Sequence, residues 1–302
     1  MNNQLSNDDL RVFTRVAARS SFAEAAAELG VSVAYVSKRI KALENALNTQ
    51  LLHRTTRRVS VTEQGEKVLR WAERILDDLD QLFQEVADTR HLPRGQLRIS
   101  SSFGFGRQQV APAVSVLTDR YPELSVRFEV FDRLVDVAGE GFDIDVRIGD
   151  DIAPHLIARK LADNHRILCA SPDYLARRGE PHTLAELSEH ECLVIKERDH
   201  PYGVWRLQSD TGEKSVRVKG SLSSNHGEIA VQWASEGRGI VLRSHWDVSP
   251  LLASGQLRRI LPEYYQTANI WAVYPQRLAH SAKVRAGVEH LVEWFSARLS
   301  AL

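Results

Sequence analysis

The sequence predicts a protein in two parts. The first is an N-terminal all-α winged helix–turn–helix, prolonged by a long dimerisation helix. The second is a C-terminal α/β segment folded as two lobes. Three observations carry this prediction. Residues 22–41 hold two amphipathic stretches separated by a short Gly-containing turn, the helix–turn–helix pattern, in which the second helix enters the DNA major groove. Residues 63–92 repeat apolar side chains every seven positions. From residue 93 onward, short strand-forming runs alternate with helical ones, the arrangement of an α/β domain.

The first helix reads "DDLRVFTRVAARS", with Leu10, Phe13, Val16 and Ala17 as its apolar stripe. The next, "SSFAEAAAELG", opens on a capping box formed by Ser21 and Glu24 and stops at Gly30. Ser32 stands where an N-cap belongs for "VAYVSKRIKALENAL". In that helix Val36, Ile40, Leu43 and Leu47 share one face, so Ala34, Tyr35, Ser37, Lys38 and Lys41 face outward. Val59 and Val61 alternate with Ser60 and Thr62 as a short strand, and Arg54, Arg57 and Arg58 precede it as a basic wing. From Val36 to Thr62 there are six Lys or Arg and one acid, Glu44. Such a run is often only a solvated face. On a helix–turn–helix it points to double-stranded DNA, with Ser32, Ala34, Tyr35, Ser37, Lys38, Lys41, Arg54, Arg57 and Arg58 as the candidate contacts.

In the helix that follows, Val68, Ile75 and Leu82 repeat at seven, with Ala72, Leu79 and Val86 between them. This is a seam for a second helix, and paired recognition helices are what two DNA half-sites require. The alternative is an amphipathic helix lying on its own domain.

Residues 8–65 resemble the LysR-type transcriptional regulators through "SFAEAAAELGVS", "VSKRIKALENAL" and "LLHRTTRRVSVTEQG". One departure stands out: Val33 and Ala34 follow Ser32 where that family often has Gln-Pro, so sequence readout falls to Tyr35, Ser37, Lys38 and their neighbours. The resemblance extends over the rest of the chain. It implies a periplasmic-binding-protein-like effector-binding domain, a homodimer or homotetramer, promoter DNA and RNA polymerase as partners, and no cofactor. "SSFGFGRQ", "RIGDDIAP", "RILCASPDYL", "IKERDHPYGVW" and "LSSNHGEI" are similar to the branch of the family that answers to D-malate and tartrate, which implies a small C4 hydroxy-dicarboxylate effector.

The expected domains are therefore a winged helix–turn–helix at 5–62, a linker and dimerisation helix at 63–92, and an effector domain at 93–302. The resemblance places the chain crossings near Leu161–Asn164 and Gln266–Asn269, which implies lobe 1 at about 93–162 and 268–302 and lobe 2 at about 163–267. Within the second segment "QLRIS", "LSVRFEVF", "FDIDVRIG", "HRILCAS" and "NIWAVYP" read as strands of a parallel sheet, "LVDVAGEG" as a short helix, and "VWRLQS" with "KSVRVKG" as a hairpin. Ligands of open α/β sheets sit beyond the carboxyl ends of the strands. At that edge lie "SSFGFG" and "SSNHG", where hydroxyls, glycines and helix starts favour an anion. Arg147 lies there too, able to hold a carboxylate at two points. The candidate effector set is Ser101, Ser102, Phe103, Arg147, Lys196, His200, Asn225 and His226. The plainer readings are an N-cap, a turn, and an Arg147 paired with Asp143, Asp145 or Asp150.

Equal numbers of basic and acidic residues, 39 each, exclude any inference from total charge. Two cysteines, Cys169 and Cys192, make no disulfide framework and read as buried thiols. No apolar run reaches membrane length and the first ten residues lack a signal pattern, so a soluble cytoplasmic protein is expected. No His/Cys/Asp spacing marks a metal site. An α/β enzyme with an appended DNA-binding segment is the rival reading, but no nucleophile elbow, phosphate loop or complete dinucleotide fingerprint is present. A solute-binding protein would share the two-lobed fold but would require export.

Overall fold

The computed structural model describes residues 6–54, 59–86, 93–196, 202–279 and 281–299, and divides into two compact units at His91 and Leu92. Arg57, Arg58 and His200, with Arg198 and the last part of the expected 63–92 helix, lie outside the described residues.

In the first unit α1 (Asn7–Arg19), α2 (Phe22–Leu29) and α3 (Val33–Leu47) pack around Phe13, Val16, Val36, Ile40 and Leu43, all fully buried. Each helix starts on a serine. Ser6 and Asp9 form a reciprocal capping box, while Ser21 and Ser32 accept from the N–H groups of Glu24 and Tyr35. Arg39 turns inward from α3 to pair with Asp9 at 2.8 Å, and so fixes α3 against α1. β1 (Leu52–Arg54) and β2 (Val59–Val61) pair antiparallel as the wing. Glu44 anchors them to α3 by accepting from the N–H groups of Leu51 and Leu52 at 3.0 and 3.3 Å.

The long helix α4 (Glu63–Val86) follows. Its seven-residue repeat divides between two jobs. Ala72 is buried, and Val68, Leu69 and Leu76 pack on the core of the same unit. Trp71, Ile75 and Leu82 are 61, 39 and 53 % exposed. The expected seam is thus corrected at its start: Val68 and Ala72 serve the domain itself, and Trp71 joins the outward strip.

The second unit has two lobes. Lobe 1 holds a five-stranded sheet in the order Leu124–Val130, Gly95–Ser101, Ile144–Ile148, Ile270–Pro275, Leu156–Ala162. Lobe 2 holds a six-stranded sheet in the order Ser223–Ser224, Cys192–Ile195, Ile240–Ser244, His165–Ala170, Arg258–Arg259, with Gln266–Thr267 also paired to His165–Ala170. Both sheets are mixed rather than parallel. Strands that carry the chain from one lobe to the other must run against their neighbours. Ile270–Pro275 is antiparallel to both its partners, and Ile240–Ser244 to His165–Ala170. The chain crosses between Ala162 and His165 and returns between Thr267 and Ile270. There Asn164 donates to the Ala268 carbonyl at 2.7 Å, and Asn269 and Trp271 donate to Asp150 at 2.9 and 2.8 Å. The expected helix at "LVDVAGEG" is a set of turns instead: Val135, Val137 and Phe142 bury together, and Gly141 takes a φ of 75° that a helix cannot hold. None of the described helices is long and apolar enough to cross a membrane.

Both thiols are buried, and burial pushes each up to about 12. A thiolate is the reactive form, so Cys169 and Cys192 are expected to resist iodoacetamide in the folded protein at pH 8 and to label fully in denaturant. Alkylation of either thiol at the rate of a free cysteine would contradict their burial.

A candidate DNA interface and a cation-lined cleft

α3 presents Ser32, Ala34, Tyr35, Lys38 and Lys41 to solvent, with Ser37 half-exposed. Burial of Val36, Ile40 and Leu43 fixes this orientation. The Ser32 hydroxyl is already an acceptor in its own cap, leaving its O–H to give. Tyr35 lies under the Arg39 guanidinium, 5.9 Å from its carbon to the ring centre. The result is a polar, basic strip on the second helix of the motif, next to a two-stranded wing that Arg54 ends.

Between the two lobes of the second unit lies a cavity of about 80 Å³, a scale for a small molecule. Lobe 1 supplies Ser101 and Ser102 at the end of Gly95–Ser101. Lobe 2 supplies Lys196 and Asn225. These four expected residues converge. Phe103 and His226 flank the cavity without lining it, their rings 5.5 Å apart. The Phe103 N–H, expected to meet a ligand, donates to the Asp132 carboxylate instead. Arg147 takes the plainer of its two readings: it is 3 % exposed, it pairs with Asp145 at 2.6 Å, and it stands outside the lining.

Several lining residues escaped the sequence reading. Arg133, Arg166 and Arg243 join Lys196, so that among the described residues four cations line the cavity against two carboxylates, Asp132 and Asp145. Arg133 is held by Glu140, Arg166 donates to Gln266 at 2.6 Å, and Arg243 pairs with Asp247 at 2.5 Å. Lys196 makes no side-chain hydrogen bond or ion pair among the described residues. Arg243 and Ser244 end a strand, and the strand-end rule that singled out Arg147 would have found them had "GIVLRS" been read as a strand. Asp132 lies in the turn after Leu124–Val130 and has no such signal.

The glycines also find different partners from those expected. A side chain at Gly227 would meet the Arg243 guanidinium at 2.0 Å, so this glycine lets a cation reach the start of the helix Gly227–Ser235. Gly104 receives Glu228 from the opposite lobe, at 3.2 Å from an added Cβ. Glu228 bridges the lobes through Arg107 and through Gln108, 2.9 Å away. Burial raises its proton affinity, but those two donors outweigh it and hold the carboxyl below its usual range. Asp132 moves the other way: burial raises it, against the opposing pull of His226, 3.7 Å away, and Arg243.

Taken together, the cleft is built to attract a small anion and offers hydroxyl and amide groups for further contacts. Two family models match the chain. "Bacterial regulatory helix-turn-helix protein, lysR family" covers residues 7–66, and "LysR substrate binding domain" covers 90–296. The chain is 60 % identical over 296 residues to the HTH-type transcriptional regulator DmlR of Escherichia coli strain K12, covering 98 % of this chain and 96 % of that one. It is 50 % identical over 291 residues to the HTH-type transcriptional activator TtdR of the same strain, covering 96 % and 94 %. Among solved structures it is similar to CrgA, a LysR-type transcriptional regulator from Neisseria meningitidis, with a TM-score of 0.60 and 30 % identity over 97 % of this chain and 99 % of that one.

Proposed function

The chain belongs to the LysR family of bacterial transcriptional regulators, and we propose that the molecule its cleft recognises is a C4 hydroxy-dicarboxylate of the D-malate or tartrate kind. Regulators of this family bind promoter DNA and a small effector and act as oligomers; this chain is one of them and not an enzyme. The observation that carries the effector reading is the cleft itself: Arg166, Lys196 and Arg243 of lobe 2 line it together with Ser101 and Ser102 of lobe 1. Two carboxylates suit cations at separate points, and a hydroxyl suits Asn225 or Asp132. The motif resemblance to the malate- and tartrate-responsive branch supports the same class.

Ser32, Ala34, Tyr35, Ser37, Lys38, Lys41 and Arg54, with Arg57 and Arg58, are the proposed DNA contacts. Tyr35, Ser37 and Lys38 read bases; the wing and Lys41 hold phosphates. Dimers form through the outward strip of α4. The effector acts by closing the lobes, which it can do only to the extent that it binds the closed arrangement better. We assign it an activating role in the cytoplasm, exerted through RNA polymerase at the promoter.

Calorimetric titration with D-malate and both tartrates tests the effector. Wild type should bind at least one of them. Lys196→Ala and Asn225→Ala should each lose about 1.5–3 kcal/mol, the range for a hydrogen bond to a charged group. Wild type that binds only aromatic acids or amino acids would reject this class and leave the regulator assignment in place.

A further inference from the structure

Trp246 belongs to lobe 2 by chain position, in the helix His245–Ala253. It is nevertheless part of the core of lobe 1, where every other member of its cluster lies. Its indole meets Phe105 edge-on at 5.1 Å, and Phe105 stacks in turn on Phe295. The residue is 6 % exposed and also lines the anion cleft. Its indole Nε1–H is buried without an acceptor among the described residues. A buried donor left unpaired is unfavourable, and the core on its other side is hydrocarbon, which supplies none.

The neighbours of Trp246 complete the picture. Arg243 lines the cleft two residues before the helix. Ser244 accepts from Asn164 at the crossing between the lobes, at 3.3 Å. His245 stacks on His165, directly after that crossing, with ring centres 5.3 Å apart. Four consecutive residues therefore touch the cleft, the hinge and the core of the opposite lobe.

We propose that Trp246 is an effector-sensing residue, whose indole N–H donates to a carboxylate oxygen of the bound acid while its ring holds lobe 2 against the core of lobe 1. The inference rests on the cleft being the effector site. A ligand that takes this hydrogen bond is tied to a side chain of lobe 2 that is embedded in the lobe 1 core. Its binding energy then acts on the lobe–lobe arrangement rather than on one lobe alone. Trp246 is thus a contact and a positioning group at once, and the two roles can be separated chemically.

The experiment is calorimetric titration of the full chain with D-malate, L-tartrate and D-tartrate. It compares wild type, Trp246→Phe and a chain carrying the benzothiophene isostere of tryptophan at position 246. The isostere keeps the size and packing of the ring and lacks only the N–H, so it remains informative if Trp246→Phe folds poorly. The isostere should unfold at or above the wild-type temperature without ligand, because the unpaired buried donor is gone, and bind the preferred acid roughly 10- to 100-fold more weakly, the loss of one hydrogen bond to a charged group. Equal affinity of the isostere and wild type would overturn the role of Trp246 and leave the cleft intact as the effector site. A wild type that binds none of the three acids would overturn the effector reading and this inference with it.

Discussion

Ile75→Glu is expected to leave each chain folded, to separate the oligomer into single chains and to lower promoter affinity by roughly 100-fold or more. Ile75 is 39 % exposed within one chain, between Trp71 and Leu82, which are more exposed still. Three large apolar groups on one helix face signal an interface, and the core of their own unit is already filled by Val68, Leu69, Ala72 and Leu76. A glutamate there would remain solvated in a lone chain. In the pair it would be buried without a partner, at a cost of several kcal/mol. DNA binding falls with it, because a single recognition helix reaches one half-site. Sedimentation and fluorescence anisotropy would read the two losses separately. An unchanged mass would mean that the chains assemble through another surface.

Phe105→Ala should destabilise the effector domain by about 3–5 kcal/mol, the usual cost of removing a buried aromatic ring. Phe105 is fully buried between Trp246 and Phe295. Its loss opens a cavity at the place where lobe 2 is pinned to lobe 1. Denaturant unfolding followed by circular dichroism would show the loss as a lower midpoint at constant slope. The DNA-binding unit has a separate core, around Phe13 and Ile40, and should unfold as before. A loss under 1 kcal/mol would mean that the ring carries little of the packing between the lobes.

The sequence was informative wherever local chemistry decides structure. Ser21 and Ser32 cap the helices they precede, and the serine–glycine turn at Ser101 reaches the cleft as the strand-end rule requires. It was uninformative where contacts are made across long separations. Arg147 and Arg243 are both arginines near strand ends. Only tertiary placement puts Arg147 against Asp145 and lets Arg243 reach over Gly227 to the cavity. Trp246 has no such local signal, because Pro250 inside its helix argues locally against a helix and because no local pattern shows that a lobe 2 side chain packs in lobe 1. The α4 repeat was visible, but period alone does not say which apolar positions serve the domain and which remain exposed.

A small hydroxy-diacid in the cleft is expected to change what the N-terminal unit does at a promoter. The most direct measurement is footprinting and anisotropy of the full chain on a promoter fragment selected by the protein itself from genomic DNA, with and without D-malate or tartrate. One of these acids, recovered unconsumed, should change the DNA affinity by a factor of about 5–150 or shift the protected region, and Lys196→Ala should need more acid for the same change. DNA binding that is intact but unmoved by any of the acids at saturation, in affinity and in footprint, would contradict it.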